Sequence, residues 1–301
     1  MTTLGFYWHA DNQNKAARSI NHRSLIKQIF ISVVVNFVII FSSLLLPALA
    51  QNKPSIISLA PHTTELIYAL GAGDQLLAVS DFSDYPEQAK LLPRVASYNG
   101  VDFEQILRLS PELIVAWQGG NKPQDLTRLA SLGFNIYLSS PKKPTDITQD
   151  IRALGAFIGR SAEADDLASH FSQQLNLLKQ QYAEAVSINV FYYMWPAPLM
   201  TIGPNAWATH LLHICGAKNV FSSAPADYPQ VSIEQVARKH PSLMIAAMHV
   251  SSTEAESFWY DKRALIPAPI AVVNPDELHR FTPRLISGLT TLCNKVHHNT
   301  D

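Results

Sequence analysis

With 301 residues, 47% of them hydrophobic and 16% charged, the chain has enough apolar side chain for two ordinary cores, which excludes wholesale disorder. The 23 basic side chains stand against 24 acidic ones, a net charge of −1. No cationic surplus is left to neutralise phosphates, so a nucleic-acid partner is excluded.

Ile29 to Leu46 is an apolar run of about 18 residues, interrupted by Ser32, Asn36, Ser42 and Ser43. Lys15, Arg18, Arg23 and Lys27 precede it, and Pro47-Ala48-Leu49-Ala50 follows. Basic flank, apolar stretch and small-x-small terminus read as a cleavable secretory signal over residues 1–50, which predicts export to the periplasm. An uncleaved N-terminal anchor is the alternative. No cysteine stands at the cleavage point to carry a lipid.

Beyond the signal, Pro54 to Leu59 is β-branched and predicts a strand. Thr63-Thr64-Glu65 then predicts a capped helix closed by Gly71 or Gly73. Leu76–Val79, Leu113–Trp117 and Asn135–Leu138 read as strands, with helices over Phe103–Leu109 and Leu126–Leu132 between them. This alternation predicts an α/β lobe with a mainly parallel sheet over residues 51–144.

From Thr145 to about Val186 no strand signal occurs. Ser161 reads as a helix cap, and Leu167, Phe171, Gln174, Leu178 and Tyr182 share one face at helical spacing. A connecting helical segment over 145–187, with a rod of about 24 residues and roughly 36 Å, is predicted. Alternation then resumes and gives a second α/β lobe over 188–301. Its strands are Ile188–Tyr192, Leu243–Met248 and Ile270–Val273; its helices are Ala208–Ile214, Ile233–Ala237 and Pro283–Val296.

The two halves rhyme. Val101-Asp102-Phe103-Glu104-Gln105-Ile106 leads through Ser110-Pro111 into Leu113-Ile114-Val115, and Val231-Ser232-Ile233-Glu234-Gln235-Val236 leads through His240-Pro241 into Leu243-Met244-Ile245. Two such units about 130 residues apart predict two similar lobes, with a ligand cleft between them at the strand-end loops.

Five segments carry a family resemblance: Ser83-Asp84-Tyr85-Pro86, Trp117-Gln118-Gly119-Gly120-Asn121, Cys215-Gly216-Ala217-Lys218-Asn219-Val220-Phe221, Tyr228-Pro229-Gln230-Val231-Ser232 and Thr282-Pro283-Arg284. From about Pro54 to Val296 the chain resembles the periplasmic cobalamin (vitamin B12)-binding proteins. These form a branch of the helical-hinge solute-binding family that also holds haem and ferric-siderophore binders. The resemblance implies two lobes on one helix with cobalamin as the transported ligand, and an inner-membrane ABC permease dimer with its ATPase subunits as partners. Haem or a ferric siderophore is the alternative ligand on the same scaffold.

Carried over, the ligand-contacting aromatic before Ser-Asp-Tyr-Pro is Phe82, where the family often has tyrosine. The loop closing from the second lobe is Asp276, Glu277, Leu278, His279 and Arg280, and it lacks the family's tryptophan. Tyr98, Trp117, Trp195 and Tyr228 complete the expected cleft. Aromatic side chains suit a flat corrin, because they offer large rigid contact at low entropy cost. Glu104 and Glu234 hold equivalent places in the repeat, and the resemblance implies that they dock to permease arginines.

His279 reads as rim of the cleft and not as a cobalt ligand. His210 and His213 stand at i, i+3 without a convincing third ligand, so they read as a structural pair and no metal site is predicted. Cys215 and Cys293 allow one pairing, and export makes a disulfide the expectation. No Gly-x-Ser-x-Gly, His-Glu-x-x-His or phosphate-binding glycine loop occurs. The reading is therefore a binding protein and not an enzyme, with no catalytic residues and no catalytic cofactor.

Overall fold

The computed structural model describes residues 53–298, together with Lys27, Phe30, Ser32 and Val33. The chain divides into two units, 1–52 and 53–301, and the fold is that of the second. The signal expected over 1–50 lies outside the described residues apart from those four. Among the described residues no helix is long and apolar enough to cross a membrane.

The first lobe is a six-stranded sheet. Its strands are β1 (Ile56–Ser58), β2 (Leu76–Ser80), β3 (Arg94–Ser97), β4 (Gly100–Val101), β5 (Leu113–Trp117) and β6 (Ile136–Ser139), in the order β4-β3-β2-β1-β5-β6. All neighbours are parallel except the edge pair β3–β4. The crossovers carry α1 (Pro61–Ala69), α2 (Phe103–Leu109) and α3 (Pro123–Ser131). β1 is buried throughout, and β5 from Leu113 to Ala116, because parallel strands with helices on both faces meet no water.

Two helices, α4 (Asp146–Phe157) and α5 (Ser161–Gln181), fill the connecting segment. The rod of about 24 residues expected there is α5, 21 residues or about 31 Å long, and a separate helix, α4, precedes it. The break between the two lies at Gly159, whose φ of +71° glycine adopts without steric strain. There the Arg160 N–H closes back onto the Gly155 carbonyl at 2.7 Å and ends α4. Ser161 lies one position inside α5, and no side chain caps that helix. Its buried face carries Ala164 and Ala168 as well as Phe171, Leu175 and Leu178, so it is turned from the expected stripe. The small residues let α4 come close: a Cβ on Gly155 would lie 2.2 Å from that of Ala164.

The second lobe is a five-stranded sheet of β7 (Ile188–Pro196), β8 (Leu199–Thr201), β9 (Ala217–Asn219), β10 (Leu243–Ala247) and β11 (Ile270–Val273). Its path is β11-β10-β7-β8, with β9 parallel to β7 and only β7–β8 antiparallel. Around it lie α6 (Trp207–Ile214), α7 (Ile233–Arg238), α8 (Ser252–Trp259), α9 (Pro275–His279) and α10 (Leu285–His298). The last helix starts two residues later than Pro283, and α9 was not foreseen.

The rhyme between halves has a structural basis. Asp102 and Ser232 cap α2 and α7 by accepting the backbone N–H of Gln105 and Gln235. Each helix is followed by a non-glycine residue in the left-handed region, Ser110 (φ 45°) and His240 (φ 46°). Proline follows both and stops the helix. Glu112 and Ser242 then enter their sheets by the same hydrogen bond, to the carbonyls of Ser55 and Asn189.

One buried cluster joins Ile56 and Val115 of the first sheet, Phe171 and Leu175 of α5, and Val190 and Ile245 of the second sheet. Within it Cys215, at the end of α6, is bonded to Cys293 on α10 across 78 residues of chain. Closing such a loop restricts the unfolded chain by about 4 kcal/mol in the chain-entropy model. Cys215→Ala with Cys293→Ala should lower the denaturant-derived unfolding free energy by that order. Alkylation of the native protein without reductant should add no mass, and two labelled thiols would refute the bridge.

Candidate functional site

The carboxyl ends of the parallel strands in both lobes supply the candidate cleft. On the second lobe, the ends of β7 and β10 and the start of α9 enclose a concavity of about 500 Å³ lined by Met194, Trp195, Met248, Asp276 and His279. Trp195 is 61% exposed, so its ring is open to a guest. Tyr228, at 51%, is close enough to Tyr192 to influence its ionisation.

On the first lobe, Phe82 lies in the turn after β2, 74% exposed and with a φ of +60°. A bulky residue in that region is strained, and the strain persists only where neighbours over-determine it. Here they do. Arg94 Nη1 donates to the carbonyls of Ser80 and Ser83, both at 2.9 Å, and Asp81 N–H bonds the Ala96 carbonyl at 2.7 Å. Thr64 Oγ1 holds the Ser83 hydroxyl at 3.0 Å. The turn therefore fixes an apolar ring in water, which points to a binding role. Tyr98, after β3, is 85% exposed.

Trp117 differs from these. It is half-buried, its ring meeting His62 at 5.4 Å and Phe281 at 5.6 Å between centroids. Gly120 lies against that ring so closely that a Cβ would come within 1.8 Å. Asn121 ties the turn by accepting from the Trp117 N–H and donating to the Leu59 carbonyl. Trp117 thus helps to build the junction between the lobes.

The segment 276–280 corrects an expectation. It is no solvated rim but α9 and its C-cap, started by Asn274, whose side chain accepts the Asp276 N–H. Leu278 is turned away from the concavity: it is buried in the core, and its carbonyl accepts the Trp207 indole N–H at 2.7 Å. Glu277 backs onto Gly288 of α10, where a Cβ would lie 2.9 Å away. Asp276, His279 and Arg280 do reach the concavity. Asp276 receives Arg280 Nη2 at 3.0 Å and faces His249 Nε2 at 3.0 Å. His279 Nε2 lies 2.8 Å from the Tyr192 hydroxyl, and burial lowers its pKa to about 4, so the imidazole is neutral at pH 7.

Residues that the sequence did not assign to the site hold this arrangement. Glu65 of α1 receives Arg280 Nη1 at 2.8 Å, and Arg284 Nη2 and Nε at 2.6 and 2.9 Å. Arg280 also reaches Asp84 at 2.6 Å, and Arg284 lies 3.8 Å over the Tyr85 ring. Burial opposes ionisation of Asp84, but the hydrogen bond and charge of Arg280 outweigh it and hold the carboxyl below its ordinary value. His62, also on α1, bonds Ser139, which donates to Asp150 at 2.6 Å. Since the Ser139 proton goes to the carboxylate, His62 Nε2 carries hydrogen and donates to the hydroxyl. This is the reverse of a base activating a nucleophile. Burial first, then Arg280, lowers the His62 pKa to about 3.

Two similar α/β lobes on a helical connector, with an aromatic-edged cleft at their strand ends, define a solute-binding protein. The comparisons agree: the periplasmic binding protein family matches residues 56–264, and the chain belongs to that family. It is 37% identical over 248 residues to a vitamin B12-binding protein of Vibrio campbellii, covering 80% of this chain and 90% of that one. Its likeness to a vitamin B12-binding protein of Yersinia pestis is 36% over 260 residues, covering 86% and 91%. The crystal structure of the periplasmic vitamin B12 binding protein BtuF of Vibrio cholerae superposes with a TM-score of 0.75 at 37% identity, covering 81% of this chain and 97% of that one. A periplasmic heme-binding protein of Pseudomonas aeruginosa reaches 0.73 at 21% identity, covering 82% and 94%, and shares the fold.

Removing one partner of a buried charge cluster leaves the others uncompensated. Glu65→Gln should therefore cost about 3 kcal/mol of unfolding free energy in a urea titration. A loss under roughly 0.5 kcal/mol, the level of an exposed pair, would show that the cluster does not hold the lobes.

Proposed function

We propose that the protein captures cobalamin in the periplasm and presents it to an inner-membrane ABC permease dimer with its ATPase subunits, without chemical change to the ligand. The supporting observation is the set of exposed rings at the strand ends. Trp195 lines an apolar concavity with Met194 and Met248, and Phe82 and Tyr98 on the first lobe and Tyr228 on the second are further exposed rings. A corrin has broad apolar faces and a rim of amides. Rings meet the faces, while Asp276, His249 and the tyrosine hydroxyls suit the rim. The identity to vitamin B12-binding proteins over most of the chain supports the same ligand.

Calorimetric titration with cyanocobalamin should give a Kd tighter than about 10 μM, roughly −7 kcal/mol, and Trp195→Ala should weaken it about tenfold. Binding of haem or a ferric siderophore with no response to cyanocobalamin would move the assignment to those ligands.

Docking falls to Glu104 and Glu234. Both are exposed in the first turn of the twin helices α2 and α7. Glu104 is steadied by Arg108 at 3.1 Å, and Glu234 by the Ser232 hydroxyl at 2.6 Å. Paired acids on equivalent helices suit a two-fold partner, where such charges set register and encounter rate. Glu104→Ala with Glu234→Ala should leave cyanocobalamin affinity within about twofold and reduce uptake by cells at least tenfold. Lost affinity would instead assign these acids to ligand binding.

A further inference from the structure

Away from the cleft, the loop after β6, the end of α5 and the outer side of α6 enclose a recess of about 270 Å³. Lys143 and Thr145 enter it from the loop, Lys179 from α5, and His210 and His213 from successive turns of α6. The sequence suggested a satisfied histidine pair. Instead, among the described residues neither imidazole and neither ammonium group has a hydrogen bond or ion pair. The nearby carboxylate, Asp146, turns its Oδ2 to the backbone N–H groups of Lys142 and Lys143 at 3.0 and 3.1 Å.

We propose that this recess is a binding site for a phosphate-type anion. Two lysines and two histidines line the recess from three parts of the fold, and the one carboxylate acting on His210 is Asp146, so the field favours a negative guest. The same lysines repel a divalent cation, and two imidazoles are too few to hold one, which decides against zinc. The mix of donors suits phosphate oxygens, and the Thr145 hydroxyl adds a neutral donor. An anion here would touch a first-lobe loop, the connecting helix and a second-lobe helix together.

Protonation follows from the setting. His210 faces His213 on its own helix, Lys143 on the loop, Asp146 at the start of α4 and Lys179 on α5. Burial first, then His213 and Lys143, lower its pKa, and Asp146 opposes them. A bound anion favours the imidazolium and so raises that pKa. By linkage the anion binds more tightly as pH falls through the imidazole range.

The whole protein is titrated with sodium phosphate at pH 6 and pH 8, with ionic strength held constant by sodium chloride, and the His210 ring resonances and Tm are followed. Saturable shifts at pH 6 are expected, with affinity at least about fivefold weaker at pH 8. Lys143→Ala with Lys179→Ala should weaken phosphate about tenfold or more and leave cyanocobalamin affinity unchanged, so the result stands apart from the cobalamin reading. Vesicles of phosphatidylglycerol and of phosphatidylcholine separate the sources. Lysine-dependent sedimentation with the former alone, with phosphate in solution silent, assigns the guest to a lipid headgroup. Response to phosphate without vesicle binding assigns it to a soluble anion. If phosphate acts no differently from chloride and neither vesicle binds, or if the double variant responds as the parent does, the proposal is overturned.

Discussion

The arrangement depends on one carboxylate. Glu65, on the first helix of the first lobe, takes both its oxygens to two guanidinium groups of the second. Arg280 and Arg284 bring two positive charges, and Glu65, Asp84 and Asp276 bring three negative ones, so the cluster is nearly neutral in a setting where unbalanced charge is costly. Charge-assisted forks of this kind fix angle as well as distance. Phe281 then seats its ring against Trp117 and His62 of the first lobe and against Trp207 of the second, with centroids 4.5 to 5.6 Å apart. Ion cluster and ring cluster are neighbours in sequence, and together they set the spacing at the base of the cleft.

That base restrains motion. Opening the lobes would expose Glu65 and Arg280, both nearly buried, and part an interlocked aromatic set. The connector is a pair of packed helices and not a flexible strand crossing, and α5 shares the core of both sheets. Rigid walls suit a rigid, flat guest, because rings already held in place lose little freedom when the ligand arrives. The strained turn at Phe82 belongs to the same economy of motion: its cost is met by bonds from Arg94, Asp81 and Thr64 within the first lobe.

Much of the fold was legible because it is written in local signals. Alternating apolar strands and short helices gave the lobes, and the repeated Asp/Ser-x-x-Gln cap with x-Pro stop gave their likeness. α4 escaped because the helical face was counted only from Leu167 onward, beyond Gly159, whose left-handed backbone ends that helix. The short α9 escaped too, although Asn274-Pro275-Asp276-Glu277 is a helix-start signal of N-cap, proline and acids. Glu65 was read as part of a cap. Its partners lie more than 200 residues away in sequence, and no local pattern reports a pairing across that distance. Of the expected cleft aromatics, Phe82, Tyr98, Trp195 and Tyr228 are exposed and Trp117 is packed at the lobe junction; the family resemblance named them, because a lone aromatic at a strand end is more often ordinary packing. Leu278 was misplaced because a five-residue segment was treated as one surface, whereas a helix turns alternate residues to opposite sides.

The cluster also bears on how ligand and lobes communicate. Asp276 and Arg280 line the concavity, and both belong to the network that reaches Glu65 and Asp84 on the opposite lobe. A polar rim group of the ligand that approached Asp276 would therefore compete with, or reinforce, a contact that joins the lobes. His249, facing the same carboxylate from the end of β10, stands at the solvent side of that competition. Under the proposed function, ligand capture and lobe spacing would thus be coupled through Asp276, with no hinge required. The free energy exchanged is that of one partly exposed ion pair, about 1 kcal/mol. A change that small fits the proposed role, in which the ligand is held in the cleft and later released to a partner.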